Sequence, residues 1–194
     1  MFLENLISST PCFGGFLIFI TSVVVFHYLM NRTEGLGEFS VGISHRDMYA
    51  FVLIQVPLTT AMAYLAMAFG HGLLYVSGTP VYWIRYFEWA ITTPILILGL
   101  MILTQRSDLT KGMMVSTFYM IVFGFFSAIT TSILSLVFFG IAGFFFFLLL
   151  YGVVSSTEIV VHERPKPVAN IYKRMRNIVI VIWSAYPFVY LLGQ

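Results

Sequence analysis

The chain has 194 residues, of which 59% are hydrophobic, 18% aromatic and only 9% charged, with a formal net charge of +2 and a mean hydropathy of +0.93. So little charge over so much apolar surface excludes a water-soluble domain and gives nothing that would hold nucleic acid, leaving an integral membrane protein. The single cysteine, Cys12, permits no intramolecular disulfide and has no companion at metal-ligand spacing, so no metal site is expected.

Six apolar runs follow one another, near residues 12–30, 48–70, 81–104, 112–133, 135–157 and 177–193. Each is long enough to cross a hydrocarbon core as a helix, at about 17–25 residues per span. Their unbroken Phe, Leu, Ile and Val lack the in/out alternation of a spanning barrel. The predicted fold is therefore an all-α membrane protein, one transmembrane helical domain over residues 1–194. The first run is preceded by Glu4 rather than a basic region, so it is read as a transmembrane helix and not a cleaved signal.

Loops are expected near residues 31–47, 71–80, 105–111, 134 and 158–176. Nine of the ten Lys and Arg fall in the first, third and fifth of these: Arg32, Arg46, Arg106, Lys111, Arg164, Lys166, Lys173, Arg174 and Arg176. By the positive-inside rule those loops are cytoplasmic and the N-terminus lies outside. The segment from Glu158 to Arg176, with its Glu-Arg-Pro-Lys-Pro core, reads as a solvated loop whose charges serve topology and anionic headgroups. His27 and His71 read as interfacial or hydrogen-bonded residues. Gly193-Gln194 directly follow an apolar helix, an ending that reads as a truncation.

The tenth basic residue, Arg85, enters the third span together with Glu88. Charge inside a membrane costs several kcal/mol unless it faces a polar interior, so it marks function by default. Residues three and four apart share a helix face, which lines up Arg85, Glu88, Thr92, Leu96 and Gly99 toward the bundle interior. Glu88 would be a counter-ion to a buried cation, a proton acceptor, or the partner that lets Arg85 be buried. Trp89 and Thr93 flank the pair, and Thr92 can reach Glu88 one turn away. Pro57, Pro94 and Pro187 fall inside spans, where they kink helices and free backbone carbonyls.

The stretch Pro80-Val81-Tyr82-Trp83-Ile84-Arg85-Tyr86-Phe87-Glu88-Trp89-Ala90-Ile91-Thr92-Thr93-Pro94 resembles the third-helix signature of the microbial rhodopsins, bacteriorhodopsin-like branch. Trp183-Ser184-Ala185-Tyr186-Pro187 resembles that family's sixth-helix signature, and Pro57, Tyr64 and Phe69-Gly70-His71-Gly72-Leu73 echo its second helix. The resemblance spans nearly the whole chain and implies a seven-helix bundle, of which six helices are visible here, holding retinal by a lysine Schiff base. It implies that Glu88, in place of the more frequent Asp, is the Schiff-base counter-ion and primary proton acceptor. Arg85 would be the arginine on its external side, and Thr92 the hydroxyl bonded to it. Retinal would lie between Trp89 and Trp183, with Thr93, Leu96, Phe139, Ala142, Phe146, Tyr186, Pro187 and Tyr190 completing the pocket.

Two departures bear on function. Gly99 stands where pumps of this type carry a carboxylic proton donor. The only lysines, Lys111, Lys166 and Lys173, belong to the cytoplasmic loops or the foot of the sixth helix, so none is the Schiff-base lysine; a missing or separate seventh helix would have to supply it. The resulting expectation is a light-driven outward proton pump of the cell membrane, not an enzyme, embedded in lipid as a homo-oligomer. A photosensory rhodopsin that signals to a transducer protein is the alternative, and a non-photoactive six-helix fragment a third.

Overall fold

A computed structural model describes the backbone of residues 2–33 and 43–192, and the side chains of residues 11–28 and 51–187. Six helices appear among the described residues: α1 (Phe2–Thr33), α2 (Ile43–Ala68), α3 (Trp83–Met101), α4 (Ser107–Ile129), α5 (Ile133–Glu163) and α6 (Lys166–Leu192). The first five contain windows long and apolar enough to cross a membrane. Short connections force consecutive helices to run antiparallel. α2 packs on α1 and α3, α4 on α3 and α5, and α6 mainly on α5 with a narrower contact to α3. That leaves α3 at the centre and α1 at the margin, with no buried residue along Pro11–Tyr28.

The predicted spans differ from these helices at both ends. The predicted loop 71–80 is an antiparallel hairpin, β1 (Leu73–Val76) paired with β2 (Thr79–Tyr82), so α3 begins at Trp83 rather than at residue 81. Its turn is Ser77-Gly78, both with positive φ, 49° and 85°. That is the left-handed pair a two-residue hairpin needs to match strand twist. The break between α4 and α5 falls at residues 130–132 and not at 134. There Ser132 caps α5, its side chain accepting from the Leu134 amide.

The largest correction concerns residues 158–176, predicted as a solvated loop. α5 continues through Glu163, and α6 starts at Lys166. Pro165 and Pro167, which suggested a loop, stand at the start of α6, where the first amides have no intrahelical acceptor to lose. Beyond them Ala169 and Tyr172 are buried, and Met175, Val179 and Trp183 pack on the same core, a helical stripe that charge had hidden. Lys111 likewise sits in α4, and Lys166, Lys173, Arg174 and Arg176 in α6. Hydropathy marks where apolar sequence stops; hydrogen-bonded helix runs on past the hydrocarbon.

The core lies toward the end of the bundle opposite the hairpin, with Ile97, Leu100, Met101, Leu149, Val153, Val160 and Tyr172 all fully buried. Polar contacts knit that end together. Arg106 Nη2 donates to Glu163 Oε1 at 3.1 Å, Arg164 Nη2 to the Thr104 carbonyl at 3.0 Å, and Arg176 Nη1 to Thr157 Oγ1 at 2.8 Å.

Candidate functional site

Glu88 lies five residues into α3, about 7.5 Å along its axis at 1.5 Å per residue. The carboxylate is only 4% exposed. Ionised groups at that depth require hydrogen-bond partners. Its oxygen Oε1 lies 2.6 Å from Thr60 Oγ1 on α2 and 2.8 Å from Thr92 Oγ1 on α3. Thr60 and Thr92 are themselves buried. Among the described residues Oε2 accepts no hydrogen bond. The i, i+4 spacing of Glu88 and Thr92 puts that contact within reach of sequence reasoning. Thr60 was missed: it is one of many hydroxyls in apolar spans, and the only available signal was its place in the middle of a span, one turn past Pro57.

Arg85 and Glu88 share a face of α3 but form no ion pair within 4 Å among the described residues. The guanidinium instead lies over the Trp89 ring, 4.7 Å from its centroid, a cation–π contact. It faces a cavity of about 590 Å³ at the hairpin end, lined by Ser77, Thr79, Tyr86 and Thr131 among others. A self-neutralising Arg–Glu pair is therefore not how these charges are accommodated. Glu88 is held by hydroxyls, and Arg85 stands on the hairpin side of it at the edge of a polar space.

Aromatic residues surround Arg85 and Trp89. Trp89 meets Tyr186 of α6 edge-on at 5.3 Å, and Tyr86 touches both Trp89 at 5.6 Å and Phe125 at 5.3 Å. Thr93 bonds back to the Trp89 carbonyl at 2.5 Å. On α5, Ala142 and Phe146 are buried and Phe139 is half-buried, the upper part of a face that continues into Leu149 and Val153. Trp183 packs on the core cluster of Ile97, Leu100 and Met101. Pro187 is half-buried, and Leu96 is 38% exposed, at the rim of this group. The side chain of Tyr190 lies outside the described residues. The structure thus brings Arg85, Trp89 and Tyr186 together, seats Glu88 and Thr92 beside Thr60, and sets Phe139, Ala142 and Phe146 on a separate helix face.

Gly99 is buried against α2, where a Cβ would come within 3.1 Å of Val52 Cγ1. A side chain added there requires Val52 to give way by a few tenths of an ångström. Gly99→Asp is expected to lower stability by about 1–3 kcal/mol through overpacking, read as a fall in thermal unfolding midpoint. Combined with Val52→Ala, the loss should be well below the sum of the two single losses. Additivity within about 0.5 kcal/mol would show that the two sites do not touch.

The three lysines lie in α4 and α6, Lys111 and Lys166 within a turn or so of the helix starts and Lys173 two turns into α6, all toward the end opposite the hairpin. None approaches Glu88.

The fold and the site define an integral membrane helix bundle that buries a hydroxyl-bonded carboxylate on its central helix, with tryptophan and tyrosine nearby. The chain belongs to the microbial rhodopsins: residues 40–194 match the family model described as bacteriorhodopsin-like protein. It is 34% identical over 175 residues to bacteriorhodopsin of Halobacterium salinarum, covering 79% of this chain and 62% of that protein. It is also 34% identical over 145 residues to sensory rhodopsin-2 of Haloarcula vallismortis, covering 73% of this chain and 61% of the relative. The chain thus spans about three-fifths of the length of these curated relatives. Thermophilic rhodopsin from Rubrobacter xylanophilus superposes with a TM-score of 0.84 at 25% identity, covering 95% of this chain and 80% of that one.

Proposed function

We propose that this protein is a retinal-dependent, light-driven outward proton transporter in which Glu88 is counter-ion and proton acceptor. The observation that supports this most is the buried Glu88 carboxylate, bonded at Oε1 by Thr60 and Thr92 and not in a contact ion pair with Arg85. A buried carboxylate without a contact ion pair, beside aromatic side chains, suits a delocalised cationic ligand. The residues fit retinal in that respect, with Trp89, Trp183, Tyr186 and the Phe139–Phe146 face able to hold a long apolar polyene. Thr93, Leu96, Pro187 and Tyr190 are assigned to the same pocket. Covalent attachment calls for a lysine from outside these six helices, on the same or another polypeptide, since Lys111, Lys166 and Lys173 lie too far from Glu88.

Retinal, when bound, supplies the light-absorbing cation and the proton. The chain's own residues do the rest. Glu88 takes the proton at Oε2 while Thr60 and Thr92 hold Oε1 still. Arg85 stands between Glu88 and the polar cavity, where its positive charge favours departure of a proton away from Glu88 rather than its return. With the N-terminus outside, as the basic residues at the opposite end argue, that cavity opens to the exterior. A carboxylate in this position argues for protons over chloride, because an anion pump would gain from a neutral group there.

A photosensor coupled to a transducer is the second reading, favoured by Gly99. Gly99 carries no carboxyl where pumps of this type have an internal proton donor, so reprotonation would depend on water and run slowly. Illuminating retinal-supplied cells in weak buffer separates the two. Acidification that collapses with a protonophore supports the pump; a visible absorption band without any pH change supports the sensor, and no band at all with the lysine-bearing segment also supplied refutes both.

A further inference from the structure

We propose that Thr60 is a positioning residue that pins Glu88 by one oxygen and so reserves the other, Oε2, as the atom that takes the proton. Its role rests on Glu88 being the proton acceptor, but its geometry does not. Thr60 and Thr92 both point at Oε1, at 2.6 and 2.8 Å. Among the described residues, two donors meet one oxygen and none the other, which polarises a carboxylate: charge is drawn toward Oε1, and Oε2 is left as the lone-pair site open to a proton. Thr92 belongs to the same helix as Glu88 and moves with it. Thr60 belongs to α2, so it alone among the two anchors the side chain against a second helix.

Each hydroxyl also has a second acceptor on its own helix. Thr60 Oγ1 is 3.0 Å from the Val56 carbonyl, and Thr92 Oγ1 is 3.0 Å from the Glu88 carbonyl. A hydroxyl has one proton to donate. Toward an ionised carboxylate the charge-assisted bond wins, being about twice as strong as a neutral one. Once Oε2 carries a proton, Oε1 is a neutral carbonyl with no such advantage, and the Thr60 hydroxyl is free to turn to Val56. The α2–α3 contact therefore changes with the protonation of Glu88, while the Thr60 hydroxyl keeps an acceptor in either state.

The test reads the carboxylate directly and needs no retinal, so it stands apart from the transport assay. The chain is produced with glutamate side-chain carboxyls labelled with ¹³C, placed in lipid nanodiscs, and its infrared spectrum taken at alkaline pH; subtracting the Glu88→Gln spectrum isolates the Glu88 bands. In Thr60→Val the separation between the antisymmetric and symmetric carboxylate stretches should narrow as the asymmetry is lost, and Thr60→Ser should restore it. Should the valine variant not fold, Thr60→Ala removes the same hydroxyl without added volume. A Glu88 spectrum unmoved by either hydroxyl-free variant overturns the proposal. So does a serine variant that behaves like valine, which would assign the effect to packing.

Discussion

Glu88→Gln is expected to reduce light-driven proton release by about 10²-fold or more, the range over which a positioned acid–base group acts. The substitution is a narrow probe because glutamine keeps the length of the side chain and an oxygen at Oε1, so the bonds from Thr60 and Thr92 remain available. Only the charge and the basic lone pair at Oε2 are lost. The folded state should survive, with an unfolding midpoint equal to or above that of the parent, since a buried charge has been removed. Glu88→Asp keeps the charge but withdraws it by one methylene, so one Oε1 can no longer meet both hydroxyls at their present distances; partial transport is the expected result. Undiminished proton release from the glutamine variant, measured in the same weak-buffer assay, would remove Glu88 from its assigned role.

The sequence carried the membrane class and the charged face of α3 because both are written in strong local signals. Apolar runs of spanning length need no partner to be recognised, and Glu88 to Thr92 is an i, i+4 spacing on one helix. What it did not carry depends on contacts between helices. Thr60 contacts Glu88 across 28 residues of sequence, and a threonine in an apolar helix ordinarily bonds the preceding turn, as Thr21 does with Leu17 and Thr117 with Met113. An Arg85–Glu88 pair was one of three readings the charges allowed; the stacking of Arg85 on Trp89 is an equally local i, i+4 contact that opposite charge overshadowed. The hairpin at Leu73–Tyr82 was hidden because four-residue strands leave little periodicity, although Ser77-Gly78 was a usable turn signal. The first three turns of α6 were hidden because Lys173, Arg174 and Arg176 outweigh the buried stripe of Ala169 and Tyr172 in any hydropathy average.

That stripe makes Tyr172 the side chain whose loss should cost most stability. It is fully buried, the largest residue in the core, and its ring bridges α6 to α5 and α3. Its hydroxyl donates to the Val153 carbonyl at 2.7 Å and lies 4.0 Å from Met101 Sδ. Because Val153 sits within α5, its carbonyl belongs to a helix that does not depend on Tyr172 for its fold. Losing the hydroxyl alone, in Tyr172→Phe, should therefore cost about 1 kcal/mol, the net worth of one hydrogen bond. Tyr172→Ala also empties the ring's volume, and packing of a helix bundle in lipid relies on van der Waals contact more than on hydrophobic transfer. The expected loss is about 3–5 kcal/mol, the usual range for emptying an aromatic site in a core. Thermal unfolding of the two variants in nanodiscs, followed by tryptophan fluorescence, compares them directly, since Trp183 lies on the same helix and packs on the same cluster. Equal losses for phenylalanine and alanine would mean that the hydroxyl, and not the ring, holds α6 against α5. A loss below about 1 kcal/mol for alanine would mean that α6 is held by its polar end contacts, Arg164 to Thr104 and Arg176 to Thr157.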